Sequence, residues 1–269
     1  MISRTCLAFC FLLYSCTPVP AITSYRAGDT LYVWAVSGLS LRQSPDLKAA
    51  KLENIPHGAT LVARNGKYSF SDCHPVRVEA VPGHKNINGV NSPVILQGCF
   101  VKVEFNGKKG YVFDGYLSKL PAMRFSTCKF GPYTDWKCFE PFDTYAAREF
   151  GRLAEIIHIE DTIVGYGSLK RIYGNGITMD GWFDKIEERR IVLPDISLEE
   201  GFLISNNMFN YEQDIRRPLN DPNLFWTFTE TRDLLNRVVL LQFTNESCGS
   251  SIRWLPLERM VVITWDCSC

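Results

Sequence analysis

Apolar and polar residues alternate through much of the stretch from Leu31 to Leu117, and turn residues interrupt them at short intervals, which predicts a series of short strands. Leu31-Tyr32-Val33-Trp34-Ala35-Val36 is rich in β-branched and aromatic residues, and Leu39 and Leu41 then alternate with Ser40 and Arg42. Ser44-Pro45-Asp46 ends that strand, and Ile55-Pro56-His57-Gly58 is a turn before the strand Ala59-Thr60-Leu61-Val62-Ala63. Val101, Val103 and Phe105 alternate with Lys102 and Glu104 up to Asn106-Gly107, a dipeptide whose residues both tolerate positive φ and so favour a hairpin. Gly110-Tyr111-Val112-Phe113 is the returning strand, and Asp114-Gly115-Tyr116-Leu117 fits a short helical turn.

The pattern changes after Leu120-Pro121-Ala122-Met123, which reads as a domain boundary. Ala146, Phe150, Leu153 and Ile157 recur at helical spacing, with Asp143 or Thr144 as the cap. A second helix is signalled by Ser197-Leu198-Glu199-Glu200, where the Ser197 hydroxyl and the Glu200 carboxylate can exchange capping hydrogen bonds while Phe202 and Phe209 face a core. Gly201 weakens that helix. Leu169 to Tyr173 and Ile177 to Met179 flank Gly174-Asn175-Gly176 as a hairpin, and Arg189 to Leu193, Arg237 to Phe243 and Met260 to Trp265 read as further strands. The order of helix, strands, helix and strands predicts, for 125–269, an α+β domain with helices packed on an antiparallel sheet.

Gly38-Leu39-Ser40-Leu41-Arg42-Gln43-Ser44-Pro45, taken with Phe100 to Val112 and the following Phe113-Asp114-Gly115-Tyr116-Leu117, resembles the bacterial SH3-like (SH3b) domain, an all-β barrel of cell-envelope proteins. The resemblance covers residues 27–121, about a third of the chain, and departs from the family at Phe100, where a Trp is common, and in a long insertion at 71–98. It implies recognition of cell-wall peptide or of an envelope protein. The aromatic residues Tyr68, Tyr111, Phe113 and Tyr116 are the candidate ligand-binding rings, set against their other role as barrel core or ordinary surface.

Residues 1–21 read as an export signal, because Arg4 precedes the apolar run Cys6 to Leu13, which is shorter than the ~20 residues of a membrane-spanning helix. Cleavage after Val19-Pro20-Ala21 competes with a lipoprotein-type cut before Cys16, and Phe11-Leu12-Leu13-Tyr14-Ser15-Cys16 resembles lipoprotein leaders of the Bacteroidota kind. The expected location is therefore the periplasm or, through an acyl anchor on Cys16, the outer membrane, with secretion as the lesser alternative. Seven cysteines lie beyond the signal: Cys73, Cys99, Cys128, Cys138, Cys248, Cys267 and Cys269. In an oxidising compartment they are disulfide candidates. Proximity along the chain favours Cys73–Cys99 and Cys128–Cys138, and leaves Cys248 to pair with Cys267 or Cys269.

Lys plus Arg equals Asp plus Glu at 29 each, so no basic footprint for nucleic acid is present. The four histidines have no metal-ligand spacing, and no phosphate- or dinucleotide-binding fingerprint occurs, so neither metal nor cofactor is expected. Three stretches offer catalytic chemistry, each with a plainer reading. Asp266-Cys267-Ser268 resembles the nucleophile segment of cysteine–histidine cell-wall peptidases, but no histidine follows it. His158-Ile159-Glu160-Asp161 sets an imidazole near carboxylates, although a lone histidine among solvated charges is the simpler account. Glu187-Glu188-Arg189-Arg190 reads as a charged strand edge. The expectation is thus a non-catalytic envelope protein that docks onto peptidoglycan or protein. A wall hydrolase with an unrecognised site and a periplasmic inhibitor or immunity-type protein are the alternatives.

Overall fold

Strand pairing dominates a computed structural model of the chain, which describes residues 25–66, 73, 75–81, 84–86, 89–91, 93–130, 134–151, 153–161, 166–174, 176–183, 186–209, 227–234, 238–244, 248–255 and 257–268. The first region contributes β1 (Thr30–Val33), β2 (Leu39–Arg42), β3 (Lys51–Ile55) and β4 (Thr60–Ala63). An arm follows, made of β5 (Val76–Val81), β6 (His84–Asn86), β7 (Gly89–Asn91) and β8 (Val94–Gly98). Then come β9 (Phe100–Phe105), β10 (Lys108–Phe113), a 3-10 turn (Asp114–Tyr116) and β11 (Leu117–Ser118).

These strands form a seven-stranded antiparallel sheet in the order β11-β1-β4-β9-β10-β2-β3. Alternation drives it: Leu39, Leu41, Leu61, Ala63, Val101 and Val103 are buried, while Thr60, Val62 and Lys102 between them are exposed. Asn106 (φ 49°) and Gly107 (φ 75°) both take the left-handed conformation that a two-residue hairpin between β9 and β10 needs. The insertion at 71–98 is more than a loop closed by a disulfide, because β5 pairs with β8 and β6 with β7 in a nested hairpin. Val78, Ala80, Val94 and Leu96 turn inward in that hairpin while Arg77, Glu79 and Ile95 face out, so period-two burial is what makes the arm regular.

The chain continues through β12 (Phe125–Phe130), β13 (Thr134–Phe139) and α1 (Phe142–Glu149). It then forms β14 (Leu153–Asp161), β15 (Tyr166–Tyr173), β16 (Thr178–Phe183) and β17 (Ile186–Pro194), followed by α2 (Leu198–Phe209). The last strands are β18 (Thr227–Arg232), β19 (Val238–Thr244), β20 (Cys248–Leu255) and β21 (Met260–Ser268). Eight of these strands build one antiparallel sheet, β14-β15-β16-β17-β21-β20-β19-β18.

This corrects the α+β assignment of the second region. Strand accounts for 55% of the protein and helix for 14%, so the protein is mostly β, with two α-helices among the described residues. The helical spacing at Ala146, Phe150, Leu153 and Ile157 is broken by Gly151 (φ +87°), and Leu153 and Ile157 lie in β14 instead. Ile156, Ile157 and Ile159 are β-branched and favour the extended backbone that β15 pairs with. Asp143 does not cap α1; its Oδ1 accepts a hydrogen bond from the Tyr173 hydroxyl at 3.0 Å, and Pro141 occupies the N-cap. Glu187 to Arg190 lie on β17 between β16 and β21, an interior strand rather than an edge.

The two sheets share a core. Trp34 Nε1 donates to the Leu120 carbonyl at 2.9 Å and its ring meets Tyr145 edge to face at 6.0 Å. The Tyr145 hydroxyl donates to the Pro121 carbonyl at 2.9 Å, and Ala122 and Met123 are buried.

Candidate functional site

α2 is placed by its N-terminus. Glu200 N–H donates to Ser197 Oγ and Ser197 N–H donates to Glu200 Oε2, both at 3.1 Å, so the capping box is formed. Gly201 is needed rather than merely tolerated. A Cβ there would lie 2.6 Å from Val261 Cγ1 and 3.1 Å from Ile252 Cγ2, which shows how closely α2 lies on β20 and β21. Phe202 is fully buried and stacks on Phe243 at 6.1 Å, and Phe209 meets Trp265 at 5.3 Å.

The arm is pinned at its base. Cys73 and Cys99 form a disulfide with Cα atoms 6.0 Å apart. Cys99 N–H donates to Asp114 Oδ1 at 2.6 Å, and Asp114 N–H returns a bond to the Cys99 carbonyl at 2.8 Å. The Asp114 carboxylate is fully buried, and Tyr25, 3.4 Å from it, has its hydroxyl pKa pushed up by burial and then by that charge. Gly98 is the only residue type that fits here, since a Cβ would come within 2.3 Å of Asp114 Oδ1 and 2.8 Å of the Gly115 nitrogen.

Between the pinned arm, the first turn of α2 and the β18–β19 end of the large sheet lies a cavity of about 510 Å³. Val94, Leu96, Phe202 and Leu241 supply its apolar lining; Arg77, Gln97, Glu199, Glu230 and Arg232 supply polar groups. Glu230 and Arg232 neutralise each other, with Arg232 Nε donating to Glu230 Oε1 at 2.8 Å. Gln97 is 8% exposed, and among the described residues its Oε1 accepts no hydrogen bond. A second cavity, of about 400 Å³, opens beside His57, whose Nε2 is 2.7 Å from the Met123 carbonyl and Nδ1 3.3 Å from the Trp34 carbonyl.

Tyr111, Phe113 and Tyr116, which the sequence singled out, do not line the larger cavity. Tyr68 falls outside the described residues, as does Cys16. Tyr111 is half-buried on β10 opposite Lys102 and Arg42. Phe113 is 4% exposed and belongs to the core, so its ring offers no surface to a ligand. Tyr116 packs edge to face on Phe113 at 6.1 Å, and its carbonyl accepts from Trp34 N–H.

Cys138 is disulfide-bonded, and Cys128 lies diagonally across the β12–β13 hairpin from it, opposite Trp136. Backbone register sets Cys248 directly opposite Cys267, while Cys269 falls outside the described residues. Cys267 therefore occupies an interior strand, where β21 pairs with both β17 and β20, and not the start of a helix. His158 and Glu160 lie on β14, with side chains outside the described set. Among the described residues no three His, Cys, Asp or Glu side chains cluster as metal ligands, and no helix is long and apolar enough to cross a membrane.

Arg77, Gln97 and Phe228 escaped the sequence reading because they belong to no motif, and Phe228 lies more than a hundred residues along the chain from the other two. Gln97 gives no local signal either, since alternation sets it on the same face of β8 as Ile95 and only packing buries it. No family model matches the chain, and no curated protein or solved structure matches it either.

Proposed function

We propose that the protein is an exported, non-catalytic binding protein of a bacterial cell envelope, holding cell-wall peptide or an envelope protein in the cavity between the arm and α2. The observation that carries this reading is the cavity. At about 510 Å³ it falls within the range of ligand sites, and it combines apolar walls with a few polar groups, Arg77 and Glu230 among them. The likeness of residues 27–121 to SH3-like domains and the leader at 1–21 support the envelope setting, with Cys16 as the lipid-anchored residue or Ile22 as a free start. The register of Cys248 with Cys267 favours that pair over Cys248–Cys269 as a further disulfide, and Cys128 is the nearest candidate for Cys138 along the chain.

Co-sedimentation of the full chain with purified peptidoglycan tests this, with Thr229→Arg as the comparison because Thr229 is exposed on the cavity wall. Wall binding that weakens at least tenfold in Thr229→Arg, at unchanged Tm, is the expected result. Equal binding by both proteins would move the site out of the cavity. Cleavage of the wall by the wild type would replace the binding reading with a hydrolase. Failure of both to bind wall, with tight association to an exported enzyme instead, would favour the inhibitor reading.

A further inference from the structure

We infer that the cavity is a strand-addition site, in which an extended peptide enters between β8 and β18 and hydrogen-bonds along their edges. This rests on the cavity being the binding site and adds how, and to what chemistry, it binds.

Side chains on a strand alternate between its faces, so a surface that touches only one face meets every second residue. The cavity instead meets Pro93, Val94, Ile95, Leu96 and Gln97 in succession, and Phe228, Thr229 and Glu230 in succession. Consecutive contact means that each strand turns its edge toward the space. β8 pairs with β5 alone, and β18 ends the eight-stranded sheet beyond β19, so among the described residues both edges carry unpaired backbone groups. An edge of this kind is a template for another strand.

The side chains define the added strand. Its inward positions meet Phe228 and Leu241 and so call for apolar residues at every second place. A peptide unit brings both an N–H and a C=O to the two strand edges, which favours polypeptide over a fatty acid, since a fatty acid brings no N–H for the strand carbonyls. Arg77 stands directly across the hairpin from Gln97, is exposed and forms no ion pair among the described residues, whereas the other exposed charges at the mouth, Glu230 and Arg232, pair with each other. The occupant is therefore an extended polypeptide segment of alternating apolar residues with an acidic residue at the Arg77 end.

Panning a random hexapeptide phage library on the full chain supplies the probe. The selected peptide is then synthesised with alternate amides N-methylated in each of the two registers, which removes edge hydrogen bonds while keeping the side chains. Loss of affinity of at least tenfold in both registers, slowed amide exchange in both β8 and β18, and a further loss of several fold in Arg77→Glu are the expected results. Unchanged affinity on N-methylation would overturn strand addition while leaving a cavity ligand intact. Binding that survives Thr229→Arg would instead remove the cavity from the argument. A library that yields no binder would overturn the inference without touching the wall-binding result.

Discussion

Ser118, at the end of β11, donates from Oγ to Glu200 Oε1 at 2.6 Å, so one carboxylate joins the first sheet to the first turn of α2. The second oxygen of the same carboxylate accepts from Ser197 N–H. The cap and the inter-sheet contact are thus one device, and it fixes the helix that walls the cavity. Glu200→Ala should lower stability by about 1–3 kcal/mol, since it removes the cap and leaves the Ser118 hydroxyl without its acceptor. In urea titrations a double-mutant cycle with Ser118→Ala should show a coupling of roughly 1 kcal/mol. Zero coupling would mean that the Ser118–Glu200 bond adds nothing to the junction between the first sheet and α2.

The Cys73–Cys99 bridge closes a segment with a sequence separation of 26. Chain entropy alone makes that worth about 3.5 kcal/mol. Replacing both cysteines with serine should reduce stability by an amount of that order. Amide exchange should rise first in β5 and β8, because Asp114 then holds the arm only through the Cys99 backbone. Uniform acceleration over the whole protein would show that the bridge acts on global unfolding and not on the arm.

Tyr173 supplies an alkaline signature. Burial, the charge of Asp143 and the hydrogen bond to it push the phenol pKa up to about 12. The unfolded chain ionises this group near 10, about two units lower. The stability contributed by the neutral phenol is fully present below about pH 10 and is lost as the pH rises to about 12. Tyr173→Phe should be weaker at neutral pH by roughly 1 kcal/mol, for the lost hydrogen bond. Between pH 10 and 12 it should lose stability less steeply than the wild type, and a parallel decline of the two curves would contradict the assignment. Tyr25 and Tyr145 are shifted in the same direction by burial, so part of the slope remains in the variant.

His57 joins the turn before β4 to the segment between the sheets. Both of its ring nitrogens face backbone carbonyls, those of Trp34 and Met123, and its ring packs 4.8 Å from Phe125 and 5.2 Å from Phe139. His57→Phe keeps the aromatic contacts but removes the ring N–H that one of the two carbonyls accepts. A cost of about 1–3 kcal/mol is expected in thermal or urea unfolding. A neutral substitution would show that water replaces the ring at those carbonyls.

Local chemistry was legible wherever it acts within a few residues. Asn106-Gly107 is a hairpin because both residues accept positive φ, and Ser197 with Glu200 caps a helix because three residues bring the partners together. Helical spacing at Ala146, Phe150, Leu153 and Ile157 misled, because periodicity over so few positions cannot outweigh a glycine break and a waiting strand partner. Gly201 reads in the sequence as a helix weakness, yet the packing of Val261 against it is what makes it necessary.

By itself the sequence determined the short strands, their turns, the capping box and the cysteine pair that pins the arm, since each depends on neighbours along the chain or on a strong local propensity. Tertiary structure decided that the second region is a single eight-stranded sheet, that the arm is a hairpin and that β17 is interior. It also brought Arg77 and Gln97 to one cavity with Phe202, Phe228 and Leu241. Such choices turn on which strand edges meet and which faces are buried, and that free energy is shared by residues far apart in the chain.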